Sequence, residues 1–360
     1  MTQRTRYFMI GSALVVMVGL CTGLVAYYNG NTLMGASANG PDDFAYLPAD
    51  SSAVAFANVR MIMNSEFRQK LRAVLPTGEE KDKLLAETGI DIERDIETVV
   101  AGFAGSADGT SPESGMVVIV RGRINDGQIE ALGVQHGGTI EEYRGIRMLL
   151  SPVRENRDTS APSPGVPLVD ATKRGGVAFL ASGVVALGEV SALKRAIDAA
   201  VTKENVTKNA DLMRLTADVE RTGNAWIVGQ FDAVSKQANL PTQIQSHLPA
   251  VQWFSVSANV NGTMTGVVRA ETRDDPSAEN LRDLIRGGLA AAKLVSGQDP
   301  RIDAMLSTLQ LTGTGKTVAM TFTVPAEMLD VIGGVAAMHG HGAQGPGPSR
   351  QNPSRQQIPK

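Results

Sequence analysis

From Tyr7 to Tyr28 the chain is apolar or small at every position except Ser12, Cys21, Thr22 and the terminal tyrosines. As a helix, those 22 residues span roughly 33 Å, enough for a hydrocarbon core of about 30 Å. Arg4 and Arg6 precede the run, and the next charges are Asp42, Asp43 and Asp50. This asymmetry predicts a transmembrane anchor over 7–28 with a cytoplasmic stub at 1–6 and the N-terminus inside. The expected location is the inner (cytoplasmic) membrane, single-pass, with the C-terminal part periplasmic or extracellular. Tyr7, Tyr27 and Tyr28 occupy aromatic-belt positions. A cleaved signal peptide is the competing reading, through Ala36-Ser37-Ala38, but signal h-regions run about 7–15 residues. Leu20 before Cys21 disfavours a lipoprotein.

A Gly-, Asn- and Ala-rich stretch, 29–43, reads as a flexible spacer. Periodicity then sets in. Val54–Val59 predicts a strand, and Met61–Val74 a helix with Met63, Phe67, Leu71 and Val74 on one face. Glu79–Glu87 is a second helix, stopped by Gly89. Val99–Ala104 and Met116–Arg121 form a strand pair around the loop 105–115. A helix at Asp126–Leu132, a strand at Ile146–Leu150, a loop from Ser151 to Lys173 and a hairpin (Val177–Leu180 with Val184–Leu187) follow. The next helix aligns Ala192, Leu193, Ala196, Ile197, Ala200 and Val201.

The order then recurs. Ala225–Gln230 is a strand, with a helix from Phe231. Phe254, Val256, Ala258 and Val260 alternate with Ser255, Ser257 and Asn259, a half-buried strand. At Asn261-Gly262 a three-residue bulged loop keeps the apolar faces in phase and pairs Ala258 with Met264 and Phe254 with Val268. A helix buries Leu281, Leu284, Ile285, Gly288, Leu289 and Ala292. A last hairpin (Leu309–Leu311 with Val318–Val324) leads into a helix from Ala326 to about Met338, and 339–360 reads as a disordered tail. The class is α+β: two similar units, 44–203 and 204–338, of antiparallel sheet with helices on one face.

Charge and composition remove several function classes. Leaving out Arg4, Arg6, Arg350, Arg355 and Lys360, the body carries 29 basic against 37 acidic residues. A net charge of about −8 without basic clusters disfavours nucleic acid. Aromatic residues make up 4%, too few for a stacked sugar platform. Cys21, the only cysteine, lies in the anchor, so the exported part has neither disulfide nor thiolate.

Each chemical motif has a plainer reading beside it. Gly313-Thr314-Gly315-Lys316-Thr317 imitates a P-loop end, but position 310 is Gln310 and strand periodicity follows, so nucleotide is not an expected ligand. Ser191 and Lys194 fit Ser-x-x-Lys without its companion motifs, and Ser191 serves better to open or cap a helix. Asp91, Glu93, Asp95 and Glu97 lack the loop glycine and the bidentate glutamate of a calcium-binding EF-hand, and helix N-terminal capping and solvation explain them better. His136 and His247 are isolated, His339 and His341 flank Gly340 in the tail, and Asn205 and Asn261 begin glycosylation sequons. No catalytic residue, cofactor-binding residue, metal ligand or cofactor is assigned.

Leu47-Pro48-Ala49-Asp50 leads into the first strand. Gly89-Ile90-Asp91 precedes Asp95-Ile96, and Gly188 precedes Leu193-Lys194-Arg195-Ala196-Ile197. With the N-terminal helix, these resemble a bacterial family of exported, N-terminally membrane-anchored proteins of unknown function. The resemblance implies location and architecture and supplies no site. The expected function is a non-catalytic, membrane-tethered binding or scaffolding module with an envelope protein as partner. The alternatives are an exported hydrolase whose site is assembled from distant residues, and a small-molecule carrier with a cleft between the two units.

Overall fold

Val117–Val120 and Val184–Leu187 are apolar without a break, so the strands that carry them have two faces to bury. The computed structural model describes residues 40–66, 89, 91–104, 115–152, 174–219, 223–233, 251–261, 263–296 and 300–324. A helical turn, α1 (Gly40–Asp43), and a 3-10 turn (Phe44–Tyr46) lead into β1 (Ser51–Ala57). Next come α2 (Val59–Met63), α3 (Ile92–Asp95), β2 (Ile96–Ala104), β3 (Gly115–Gly122) and α4 (Asp126–Gln135). Two hairpins follow, β4 (Thr139–Tyr143) with β5 (Ile146–Leu150) and β6 (Gly175–Ala181) with β7 (Val184–Glu189). After α5 (Val190–Thr202) and α6 (Ala210–Val219) come β8 (Ala225–Gln230), β9 (Val251–Val260) and β10 (Met264–Thr272). The described chain closes with α7 (Asp275–Ser296), α8 (Pro300–Thr308), β11 (Gln310–Thr312) and β12 (Thr317–Val324).

The strands make one sheet in the order β11-β12-β10-β9-β8-β1-β2-β3-β7-β6-β5-β4. Every neighbouring pair is antiparallel. The fold is thus mixed α+β on a large antiparallel sheet.

Helices occupy both faces, a correction to the single helical layer expected. On one face Ala192, Leu193, Ala196 and Ile197 of α5 and Leu212, Leu215 and Val219 of α6 pack on Val117, Ile119, Ala186, Trp226 and Val228. On the other, Val120, Leu149, Phe179 and Val185 are met by Ile62 and Met63 of α2 and Ile129 of α4. The register carries that second face across the sheet to Val318, where Ala278 and Leu281 of α7 cover it. The reason is the unbroken valine runs, which leave apolar side chains pointing both ways.

Three smaller expectations are corrected. The loop between β9 and β10 has three residues, but Val260 pairs with Met264, Ala258 with Gly266 and Phe254 with Ala270. The apolar phase is therefore as predicted and the register is displaced by two residues, because the loop is 261–263. The buried stripe of α5 ends at Ala199, with Val201 53% exposed. In α7, Leu281 is buried while Leu284 and Gly288 are exposed; its apolar floor is only a few strands wide, so the early turns alone find it. Strand β4 and helices α6 and α8 were not anticipated from pattern.

No helix among the described residues is long and apolar enough to cross a membrane. The predicted anchor 7–28 lies outside them, as do most of 61–74 and all of 79–87, 326–338 and the tail 339–360.

The described fold reaches back into the stretch expected as spacer. Asp43 is 1% exposed, and Phe44 and Leu47 are as deeply buried. The Arg121 guanidinium grips the Asp43 carboxylate with two nitrogens, its Nε at 3.0 Å from Oδ1. The Thr98 hydroxyl donates to the other carboxylate oxygen at 3.3 Å. Leu47 fills the space over Gly102, where a Cβ would come within 2.9 Å of its side chain. Its carbonyl accepts from the Val206 amide at 2.9 Å. Residues 43–47 thus form a strap that lies along β2 from Thr98 to Gly102.

Candidate functional surface

The apolar row Val260–Met264–Val324 lines one face of the C-terminal half of the sheet. Alternation turns the neighbouring positions to the other face. There Asn259, Thr265 and Thr323 stand in one row across β9, β10 and β12. Ser257, Val267, Thr321 and Gln310 form the next, and Ser255, Arg269, Ala319 and Thr312 the third. Asn259, Thr265, Gln310 and Thr312 are exposed, while Ser255 and Ser257 are buried where α6 crosses β9.

Helix α6 borders this platform with charge. Arg214 donates both terminal nitrogens to Glu271 at 2.8 Å each, the paired geometry that suits a carboxylate. That hydrogen bonding raises the Arg214 guanidinium pKa above its usual value. Arg269 reaches Asp218 at 3.5 Å. The surface offers hydroxyls, amides and neutralised charges, a composition suited to a hydrated contact with another polar surface.

Several of the residues singled out from sequence serve structure. Gly313-Thr314-Gly315-Lys316-Thr317 is the turn between β11 and β12. Gly313 has φ +99°, and a Cβ there would meet the Thr317 carbonyl oxygen at 2.4 Å. Arg282 of α7 donates to the Gly315 and Thr317 carbonyls at 2.7 and 2.9 Å, fastening the turn to the helix. Ser191 is exposed in the first turn of α5 but does not cap it, since the N-cap is Glu189. Lys194 holds its ammonium 5.3 Å from the Tyr143 ring centre.

Three carboxylates of the acidic cluster are paired with arginines. Asp91 pairs with Arg94 at 2.8 Å, Asp95 with Arg123 at 3.2 Å, and Glu97 with Arg60. Asp95 also accepts from the Asp91 amide at 2.9 Å. Among the described residues no group of three or more potential ligands is placed to hold a metal ion. His136 ends α4 with its Nδ1 2.9 Å from the Leu132 carbonyl. Asn205 is buried, and its Oδ1 accepts from the Thr207 amide and hydroxyl at 3.1 and 2.6 Å. Asn261 is exposed at its turn. Cys21, His247, His339 and His341 lie outside the described residues.

Two clusters escaped the sequence reading. Asp43, Thr98 and Arg121 come together only through the strap. Tyr143 donates to both oxygens of Asp198 at 3.1 and 3.2 Å, and Arg144 pairs with the same carboxylate. Its guanidinium pKa is raised, first by hydrogen bonding to Tyr143 and then by the charge of Asp198. Arg144 has φ +50° in the β4–β5 turn, a conformation that side chains other than glycine adopt at a cost. No short-range signal connects these positions, because they are brought together by sheet order.

No known protein family matches the chain, and no curated protein does. The chain is similar to a solved structure of TP0453, in its crystal form I, at 10% identity and a TM-score of 0.43. The alignment covers 82% of this chain and 97% of that one. At that distance neither a fold family nor a function passes from one to the other.

Proposed function

We propose that this protein is a non-catalytic binding or scaffolding module, tethered to the inner membrane by residues 7–28 with its folded body outside the cytoplasm. The observation that carries the reading is the use made of reactive side chains. Asp91, Asp95 and Glu97 are held in ion pairs, Lys194 lies over an aromatic ring and the His136 imidazole meets a helix-end carbonyl, while Ser191 and Lys316 are exposed. The C-terminal half of the sheet meanwhile presents a polar face whose rim residues are exposed. A second, folded envelope protein fits that face better than a small substrate does, because it offers a broad set of donors and acceptors and no described enclosure.

The chain also reads as two similar units. Outward from the antiparallel β1–β8 pair, one side runs β1-β2-β3-β7-β6-β5-β4 and the other β8-β9-β10-β12-β11. Each side begins with a strand, adds a hairpin and continues with a second hairpin inserted in reverse order, which is the order a duplication would leave, and the first side carries the β4–β5 hairpin in addition.

The test is co-purification of the full-length protein from detergent-solubilised membranes, wild type beside Thr265→Arg. A stoichiometric envelope protein that is lost with T265R is the expected result. A hydrolase screen that finds turnover abolished by one Ser, His or Asp substitution would replace this reading with the enzymatic one. Thermal stabilisation by a small ligand would replace it with a carrier.

A further inference from the structure

We infer that the strap at 43–47 decides which end of the sheet faces the membrane, and that the membrane-facing end is the one carrying the β6–β7 turn, Arg123 and the β9–β10 turn. The inference rests on the tether proposed above. The strap enters beside Thr98 and Arg121, where Asp43 is gripped, and Leu47 lies further along β2 over Gly102. The chain then turns through Pro48 into β1, whose first residue Ser51 pairs with Ala104 at the far end of β2. Residues before Asp43 therefore leave from the Thr98 end.

Hydrogen bonds define that end. The Gly122 amide donates to the Gly183 carbonyl at 2.9 Å, setting the β6–β7 turn beside the end of β3. The Asn58 amide donates to the Asn224 carbonyl at 2.8 Å, and the Asn224 side chain bonds both main-chain groups of Val260. The β9–β10 turn thus shares the same end.

Lengths make the orientation effective. Eleven residues, 29–39, outside the described residues and expected from sequence to be a flexible spacer, separate Tyr28 from α1, and a coil of that length would span about 18 Å root-mean-square. The ten residues of β9 extend about 33 Å along the strand direction. The connection is shorter than the body, so the strap end stays nearer the bilayer.

Charge does not compete with this geometry. Arg60, Arg94 and Arg123 at that end each have a carboxylate partner in Glu97, Asp91 and Asp95. Among the described residues, arginines offset in this way draw that end little toward anionic headgroups, and the orientation is assigned to the tether.

Ser182 and Ser191 are exposed at opposite ends of β7, about 20 Å apart along a six-residue strand. The test uses the full-length Cys21→Ser protein with either Ser182→Cys or Ser191→Cys carrying a donor dye. Each is reconstituted in vesicles of phosphatidylcholine and phosphatidylglycerol containing a headgroup acceptor dye. Co-flotation with vesicles checks the tether separately. The expected result is flotation of both, with stronger energy transfer from S182C than from S191C. Flotation with equal or reversed transfer overturns the orientation and leaves the tether standing, whereas absence of flotation overturns both. A Gly-Ser insertion after Gly35 is expected to shrink the difference. An undiminished difference would mean that the protein surface, not the strap, binds lipid, and would overturn the inference as well.

Discussion

Gly229 on β8 faces Ala53 on β1 in the central pair that makes the sheet continuous. A Cβ placed at Gly229 would lie 2.5 Å from the Ala53 Cβ and 3.0 Å from both the Ala53 Cα and the Ser52 carbonyl oxygen. Non-bonded carbons settle at about 3.5–4.0 Å, so Gly229→Ala forces an overlap that no rotamer can relieve. The methyl of Ala53 is rigid and 2% exposed. Such crowding costs about 1–3 kcal/mol, and the stiffer unfolded chain offsets about 0.4–1 kcal/mol of it. The net expectation is a loss of about 1–2 kcal/mol. Ala53→Gly alone removes one buried methyl and adds backbone freedom, a loss of about 1.5 kcal/mol.

Were the two sites independent, the double variant would lose about 3 kcal/mol. Exchanging the methyl across the seam should instead hold its loss near that of A53G, a favourable coupling of about 1–2 kcal/mol. The rescue is partial, because the Ser52 carbonyl and the Ala53 Cα remain close. Urea unfolding of the four full-length proteins in one detergent, followed by far-UV circular dichroism, reads these differences as midpoint shifts. An unperturbed G229A, or strict additivity in the double variant, would refute the pairing of β1 with β8 in this register.

Three further outcomes follow from named contacts. Arg121→Met leaves Asp43 with the Thr98 hydroxyl and is expected to cost about 2–3 kcal/mol by thermal unfolding, below the usual 3–5 for a fully buried pair because the guanidinium is partly solvated; D43L/R121M should recover much of it. Asn224→Ala strips both main-chain groups of buried Val260 of their partner and should cost about 2–3 kcal/mol, read by urea midpoint. The Asp274 carboxyl is held below its usual pKa by Ser277, and that of Glu279 by Arg286 and then Arg282. Because folding lowers these values, their contribution is complete above the ordinary carboxylate range near about pH 4 and fades as pH falls through the folded values. The stability gap between wild type and D274A/E279Q should therefore close on acidification, and a gap that widens would contradict the assignment.

Local pattern was a good guide wherever one face of an element decides its fate. Phe254, Val256, Ala258 and Val260 alternate so cleanly that the phase of the β9–β10 hairpin followed from them. Its register did not, since Val260–Met264 and Ala258–Met264 pairings keep the same residues buried and differ only in how the loop closes. The turn at 313–317 was legible for the same reason, since Val318, Met320, Phe322 and Val324 demand a strand. Strand β4 was not, because Thr139–Tyr143 is almost wholly exposed and its position at the sheet edge requires little apolar patterning.

The sequence by itself determined the α+β class, most strand positions and the hairpin turn at 313–317, and it carries the expectation of an N-terminal anchor. Those properties depend on hydrophobic period, turn chemistry and run length, all local quantities. Only the tertiary structure decided that the strands join in one sheet, that helices cover both faces and that a polar platform lies on the C-terminal half. It alone also brought Asp43 to Arg121 and Tyr143 to Asp198. These depend on which strands become neighbours, and that choice is made by the burial of whole faces over long sequence separations, where no single segment carries the signal.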